Sequence, residues 1–285
     1  MTDRAPPALY TIPPGTPFVD ALAAGLLDRA GADPQALSAM RVLLPTQRAC
    51  RALREAFLRQ SGGRPLLLPR LTALGEMDEE ELVLSEGEGA GDADGEGALD
   101  LPPALAGLTR QLLLARLIRQ RQGDDTRPEQ AARLAAELAR LLDQVRTERL
   151  DFAQLADLAP QDYATHWGDT LAFLTVLTEH WPGVLAERGA LDAADRRNRL
   201  LERQAEAWHR DPPAFPVIAA GTTGSIPATA DLLDRVARLP QGCVVLPGLD
   251  RDTPDAAWAD LPPSHPQYGL ARLLARLKVD RGAVK

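Results

Sequence analysis

Lysine is nearly missing from this chain. Lys and Arg together number 32 over 285 residues, yet the only lysines are Lys278 and Lys285, so 30 of the 32 are arginine. A mechanism that needs an early lysine, such as a P-loop lysine on nucleotide phosphates or a Schiff-base lysine inside a core, has no residue to use. Cysteine is almost as scarce. Cys50 and Cys243 alone cannot build a disulfide framework or a four-thiolate metal or iron–sulfur site. No apolar run approaches the ~20 residues that span a bilayer, and the opening MTDRAPPALY lacks the apolar stretch of a secretory signal. A protein with no membrane partner, in the cytoplasm, is the expectation.

What is present is an ordinary globular composition, 45% hydrophobic and 25% charged, on a chain long enough for one or two domains. The net charge of −8 hides a strong polarity. Residues 76–100 carry eleven acidic side chains and no basic one, so the remainder is positive. Residues 41–70 hold seven arginines (Arg41, Arg48, Arg51, Arg54, Arg59, Arg64 and Arg70) against Glu55 alone. A concentrated basic stretch in an acidic chain is either a solvated helix face or a footprint for phosphate backbones.

The pattern of elements is strand–loop–helix at both ends and helix in the middle. Leu9–Ile12 reads as a strand, followed by PPGTP and an amphipathic run through Phe18, Leu22, Leu26 and Leu27. Arg41–Leu44 is a second strand. Thr46 then has the chemistry of an N-cap for the helix QRACRALREAFLRQ, which Gly62 and Gly63 end. Leu66–Leu68 is a third short apolar run before Pro69. Glu86–Gly97 has almost nothing to bury and reads as a disordered linker.

Apolar residues then recur at helical steps in four sets. They are Leu105, Leu108, Leu112 and Ala115; Leu134, Leu138, Leu141 and Val145; Tyr163, Trp167, Leu171, Leu174 and Trp181; and Leu200, Leu201, Ala205 and Trp208. Such stripes are most simply the core of a helical bundle. Val217–Ala220 and Gly242–Leu246 are buried-type strands separated by a helix through Ile226, Leu232, Leu233 and Val236. Tyr268–Leu277 adds a last helix, without a closing strand after it, which reads as an interrupted fold. The expectation is a parallel α/β sheet interrupted by a helical insertion. Its parts are a first α/β half in 1–75, an acidic linker in 76–100, a helical subdomain in 101–212 and an incomplete second half in 213–285.

Two clusters carry candidate chemistry. Gly221, Thr222, Thr223, Gly224 and Ser225 join a strand to a helix, where free N–H groups can face an anion. Ser225 serves equally well as a plain N-cap with Pro227 in the first turn. Thr46, Gln47, Arg48, Arg51 and Arg54 combine hydroxyl, amide and guanidinium groups at a helix start, a sound phosphate-gripping set. The four histidines (His166, His180, His209 and His265) have no metal-ligand spacing, and three adjoin tryptophan, so packing or exposure accounts for them. Asp250 and Asp252 follow a strand, yet with no partner base they read as turn residues. PPGTP stands where a nucleotide-binding α/β protein would carry its phosphate loop. It has no Gly-Lys-Thr, and its prolines delete backbone donors. Ala219, Ala220 and Gly221 stand where a metal-binding carboxylate would follow the apolar run. ATP hydrolysis by this chain is not expected.

At these residues the chain resembles a known family. YTIPPGTPFVDALAAGLL, VLLPTQRACRALREAFL, LLLPRLTALGEMDEEEL, LARLLDQVRTERLDFAQLADL, HWGDTLAFLTVLTEHWP, VIAAGTTGSIPATADLL and LPQGCVVLPGLDRD, ending in HPQYGLARLL, are similar in order and position to the N-terminal part of the AddB family. These are subunits of AddAB helicase–nucleases of double-strand-break repair. The resemblance implies a superfamily-one helicase-like, P-loop-NTPase-like domain split by a helical subdomain. PPGTP and VIAAG would be decayed counterparts of its two nucleotide motifs. It also implies an AddA partner and single-stranded or forked DNA as ligand. Thr46, Gln47 and Arg48 fall in the stretch similar to a motif that contacts single strands. Full-length family members continue to a nuclease domain with its metal and a 4Fe-4S cluster. The motif and the cysteines for these are missing here, so neither DNA cleavage nor a cofactor is expected of this chain. The competing expectation is a small α/β enzyme that holds a phosphorylated ligand at Gly221–Ser225.

Overall fold

The computed structural model describes residues 6–76, 101–122, 127–150 and 174–285. In chain order the elements are β1 (Leu9–Ile12), α1 (Phe18–Ala30), α2 (Pro34–Ser38), β2 (Arg41–Leu44), α3 (Gln47–Gln60), β3 (Arg70–Ala73), α4 (Gly107–Gln122) and α5 (Pro128–Thr147). A π turn at Val176–His180 leads into α6 (Trp181–Glu187), followed by α7 (Ala193–Arg210), β4 (Val217–Ala220), α8 (Pro227–Ala237), β5 (Gly242–Pro247), α9 (Asp255–Ala259) and α10 (Tyr268–Leu277). The chain divides into two compact units, residues 1–99 with 200–285, and residues 100–199.

The first unit is an α/β layer. Its five strands are all parallel, in the order β1–β5–β4–β2–β3. Every residue of β2 (RVLL) and of β4 (VIAA) is buried, as parallel strands covered on both faces require. Alternation sorts the side chains. Val42, Leu44, Leu71, Ala73, Ile218 and Ala220 share one face with Leu22 and Leu26 of α1 and Leu53 and Phe57 of α3. Their alternates, Val217, Ala219, Val244 and Leu246, are also buried, and α8 packs on β4 and β5. Helix α10 lays Leu270, Leu273, Leu274 and Leu277 against this second layer and ends with Lys278 in the left-handed conformation.

The run Leu66–Leu68 is not a strand. Residues 64–69 carry no regular structure, and β3 begins one residue after Pro69, where the Arg70 N–H reaches the Met40 carbonyl. The physical reason lies in the prolines. Pro65 and Pro69 bracket the leucines, and neither has an N–H to give a ladder. Two leucines of the run stay exposed.

In the second unit, α4 packs against α5 and against the π turn. Leu114, Ile118, Ala131, Ala135, Leu138, Leu142, Leu174, Leu177 and Trp181 form its apolar centre. The expected α4 stripe is corrected here, since Leu108 and Leu112 are 72% and 61% exposed. The buried face instead runs Arg110, Leu114, Ile118, at i, i+4 and i+8. Arg110 decides it. Its Nη1 meets Asp143 at 2.8 Å, its Nη2 donates to the Ala139 carbonyl, and its Nε lies 2.9 Å from Asp192. A leucine-rich helix offers several apolar stripes, and the ion pairs select among them. Tyr163, Trp167, Leu171 and His166, and the acidic stretch 77–100, lie outside the described residues.

Candidate functional site

The carboxyl ends of the strands carry both clusters picked out from the sequence. The segment after β2 leads to α3 on one face of the sheet, and the segment after neighbouring β4 leads to α8 on the other. Adjacent parallel strands whose connections leave toward opposite faces open a crevice at their carboxyl ends, where α/β proteins bind ligands. Pro45 is the centre of this convergence. The Gly75 N–H, just past β3, donates to the Pro45 carbonyl at 3.2 Å, and a Cβ on Gly75 would stand 2.9 Å from that oxygen. Gly221, with φ +74°, brings its backbone beside the Phe18 ring and the Pro45 ring. A side chain at either glycine would force these loops apart.

Thr46 caps α3 as its chemistry predicts. It sits in extended backbone, and its hydroxyl accepts the Ala49 N–H at 3.1 Å. The helix then buries Cys50, Leu53, Ala56 and Phe57, which leaves the opposite face to Arg48, Arg51 and Arg54. All three arginines are exposed, and none pairs with a carboxylate among the described residues. At about 100° per residue they fall roughly 60° apart around the helix, spread over about 9 Å of its axis. Arg59 differs. It is tied to Asp20 of α1 at 2.8 Å. Gln47 is half-buried at the helix start.

The Gly221–Ser225 segment has another geometry. The Gly221 N–H is spent on the Val245 carbonyl and the Gly224 N–H on the Thr222 hydroxyl, at 3.0 and 3.2 Å. Thr223 lies against Gly269 of α10, and Gly224 is buried beside Leu233 and Leu273. Ser225 is not the cap of α8. Ile226 occupies that position without a side-chain bond, and Pro227 is the first helical residue. Because Pro227 has no N–H, this helix start offers one donor fewer than a phosphate cradle uses. The loop is packed under a helix, whereas α3's start faces outward.

Pro13–Pro17 is exposed, and its backbone turns back on itself through the Thr16 N–H and the Pro13 carbonyl at 3.3 Å. Past β5, Asp250 accepts the N–H groups of Asp252 and Thr253 and the Thr253 hydroxyl. The Thr253 hydroxyl bond first, and then those N–H groups, hold its carboxyl below the ordinary range. Asp250 is thus a turn residue, as its sequence context suggests. His209 and His265 are exposed, and His265 Nδ1 accepts the Gln267 N–H. Among the described residues no three His, Cys, Asp or Glu side chains gather as a metal site. Both cysteines are buried, and burial pushes the Cys243 thiol up despite Arg29 at 3.5 Å. Two buried thiols do not fit a four-cysteine cluster.

The sequence missed Gly75 as a neighbour of Pro45 and Phe18 as a neighbour of Gly221. A glycine two residues past a strand end was the available sign. No protein-family profile matches the chain, and no curated protein matches it at a significant score. No helix among the described residues is long and apolar enough to cross a membrane.

Proposed function

We propose that this chain is a non-catalytic, DNA-facing scaffold of an AddAB-type helicase–nuclease, with AddA as partner and single-stranded or forked DNA as ligand. The observation that carries the reading is the outward start of α3, where a capped helix N-terminus and three arginines with no carboxylate partner among the described residues share one face at the carboxyl edge of a parallel sheet. Helix dipole and guanidinium groups act in the same direction there, toward a phosphate chain. A P-loop-NTPase-like ancestry accords with the all-parallel sheet and with PPGTP and VIAAG at the carboxyl ends of β1 and β4. Both lack the lysine and carboxylate that ATP hydrolysis needs. The committed N–H groups of Gly221 and Gly224 argue against a phosphometabolite enzyme.

Fluorescence anisotropy with a labelled oligonucleotide, titrated across salt, tests this reading. Arg48→Ala with Arg51→Ala removes two phosphate contacts. Affinity should fall, and the slope of log K against log salt should shrink by about 1.4, at ~0.7 per single-strand phosphate. An unchanged slope and affinity would remove α3 from the interface.

A further inference from the structure

A second surface lies at the opposite, amino-terminal edge of the sheet. There the end of α1, the start of α2 and the segment after α3 border a groove of about 560 Å³. Leu27, Leu37 and Leu66 supply its apolar wall, and Asp28, Asp33 and Arg64 also line it. We infer that this groove docks an extended peptide segment of a partner protein, one presenting an aliphatic side chain beside a lysine or arginine.

Three observations converge on that occupant. First, Leu66 packs partly on the core beneath the sheet, whereas Leu67, on the groove, is 59% exposed. Leu67 and Leu68, both exposed and outside any strand, are apolar area left for an outside partner to cover. Second, the N–H groups of Leu66, Leu67 and Leu68 meet no acceptor among the described residues. Carbonyls of an added peptide can accept from them.

Third, the groove carries both signs of charge, Asp28 and Asp33 against Arg64. Asp28 and Asp33 are exposed and pair with no cation among the described residues, although Asp33 Oδ1 also caps α2 through the Gln35 N–H at 2.8 Å. The nearby cations keep their charge but bond to neutral acceptors. Arg64 Nε donates to the Ser61 carbonyl of its own turn, and Arg29 reaches the Gln241 carbonyl and Cys243. An apolar wall beside two carboxylates and one arginine favours an apolar residue flanked by a basic one.

The test uses the full chain with leucine methyls labelled for NMR, titrated with the peptides acetyl-RLVLR-amide and acetyl-ELVLE-amide. The basic peptide should saturate at about 1 mM and shift the methyls of Leu27, Leu37 and Leu66, with the acidic peptide roughly tenfold weaker. Asp28→Asn with Asp33→Asn should remove most of that preference, and asparagine preserves the cap on α2. Leu67→Pro, which deletes one N–H without entering a strand, should weaken both peptides. Equal binding of the two peptides, a preference that survives the double variant, shifts centred away from the groove, or no saturation by several millimolar overturns the inference. DNA binding at α3 plays no part in these readouts.

Discussion

The two units solve the problem of burial with different chemistry. Around the sheet, the layer between strands and α1 and α3 is leucine, alanine, valine, phenylalanine and buried cysteine. In the helical unit, a similar apolar centre adjoins buried Arg110 and Asp192 and includes the Trp181 indole, whose Nε1 donates to Asp192 at 3.0 Å, while Asp143 meets Arg110 from a half-exposed position. Asn198 adds a bond to the Arg146 carbonyl at the end of α5. The apolar layer is stabilised by area removed from water, which is non-directional and indifferent to pH. The polar centre depends on geometry, and its ions are worth keeping only while every partner is in place. One core tolerates similar shapes. The other selects one arrangement, as the rotated stripe of α4 illustrates.

The contrast breaks first at Arg110. Arg110→Met leaves Asp192, 1% exposed, without its main counter-charge and should cost about 3–5 kcal/mol in urea unfolding. Arg110→Met combined with Asp192→Asn should recover a large part, because the stranded charge is gone. Leu53→Ala beneath the sheet should cost a comparable ~2–5 kcal/mol through cavity and transfer effects alone. If the Arg110 variant proves as stable as the parent, the polar centre is decoration and the contrast fails.

A pH series sharpens the same contrast. Desolvation raises the Asp192 carboxyl above its ordinary value, against the opposing pull of Arg110, the Trp181 bond and Arg146. The folded state therefore binds this proton more readily than the unfolded chain. Its stabilising contribution is complete below the unfolded pKa and is lost as pH rises through the higher folded value. Stability measured between these two values should fall with rising pH, and Asp192→Asn should flatten that segment of the curve. Leu53→Ala should shift the whole curve down and leave its shape unchanged.

The smallest expected effect concerns the cap that orients the arginine face. Thr46→Ala removes the acceptor for the Ala49 N–H and should cost about 1 kcal/mol, with Thr46→Asn restoring most of it. The arginines themselves point to solvent, so replacing them should change stability little and DNA affinity more. A large stability loss in Arg48→Ala would mean that this face is structural.

Much of this architecture can be read from residue order. The strands at Leu9, Arg41, Val217 and Gly242 announce themselves as short apolar runs bounded by Pro or Gly. Helix α3 is bounded by Thr46 and Gly62, and the final helix by its spacing of leucines. Those signals are local, because caps, prolines and burial period act within one or two turns. The failures are non-local. Leu66–Leu68 has a strand's composition, yet its prolines and the start of β3's pairing at Arg70 place the ladder a few residues on. Leu108 and Leu112 keep the helical period and face water, because a distant aspartate fixes which side of α4 turns inward.

The candidate site divides along the same line. Residue types alone determined that Thr46 would cap a helix, that the arginines would gather on its open face, and that a lysine-dependent phosphate loop was impossible. Only the tertiary structure decided that β2 and β4 lie side by side, so that residues 176 positions apart, Pro45 and Gly221, come together. It also decided that the glycine loop would spend its N–H groups inside the fold while α3 kept its start outward. Strand order is set by the total area the two layers of helices can bury on the sheet, and that sum belongs to no single segment.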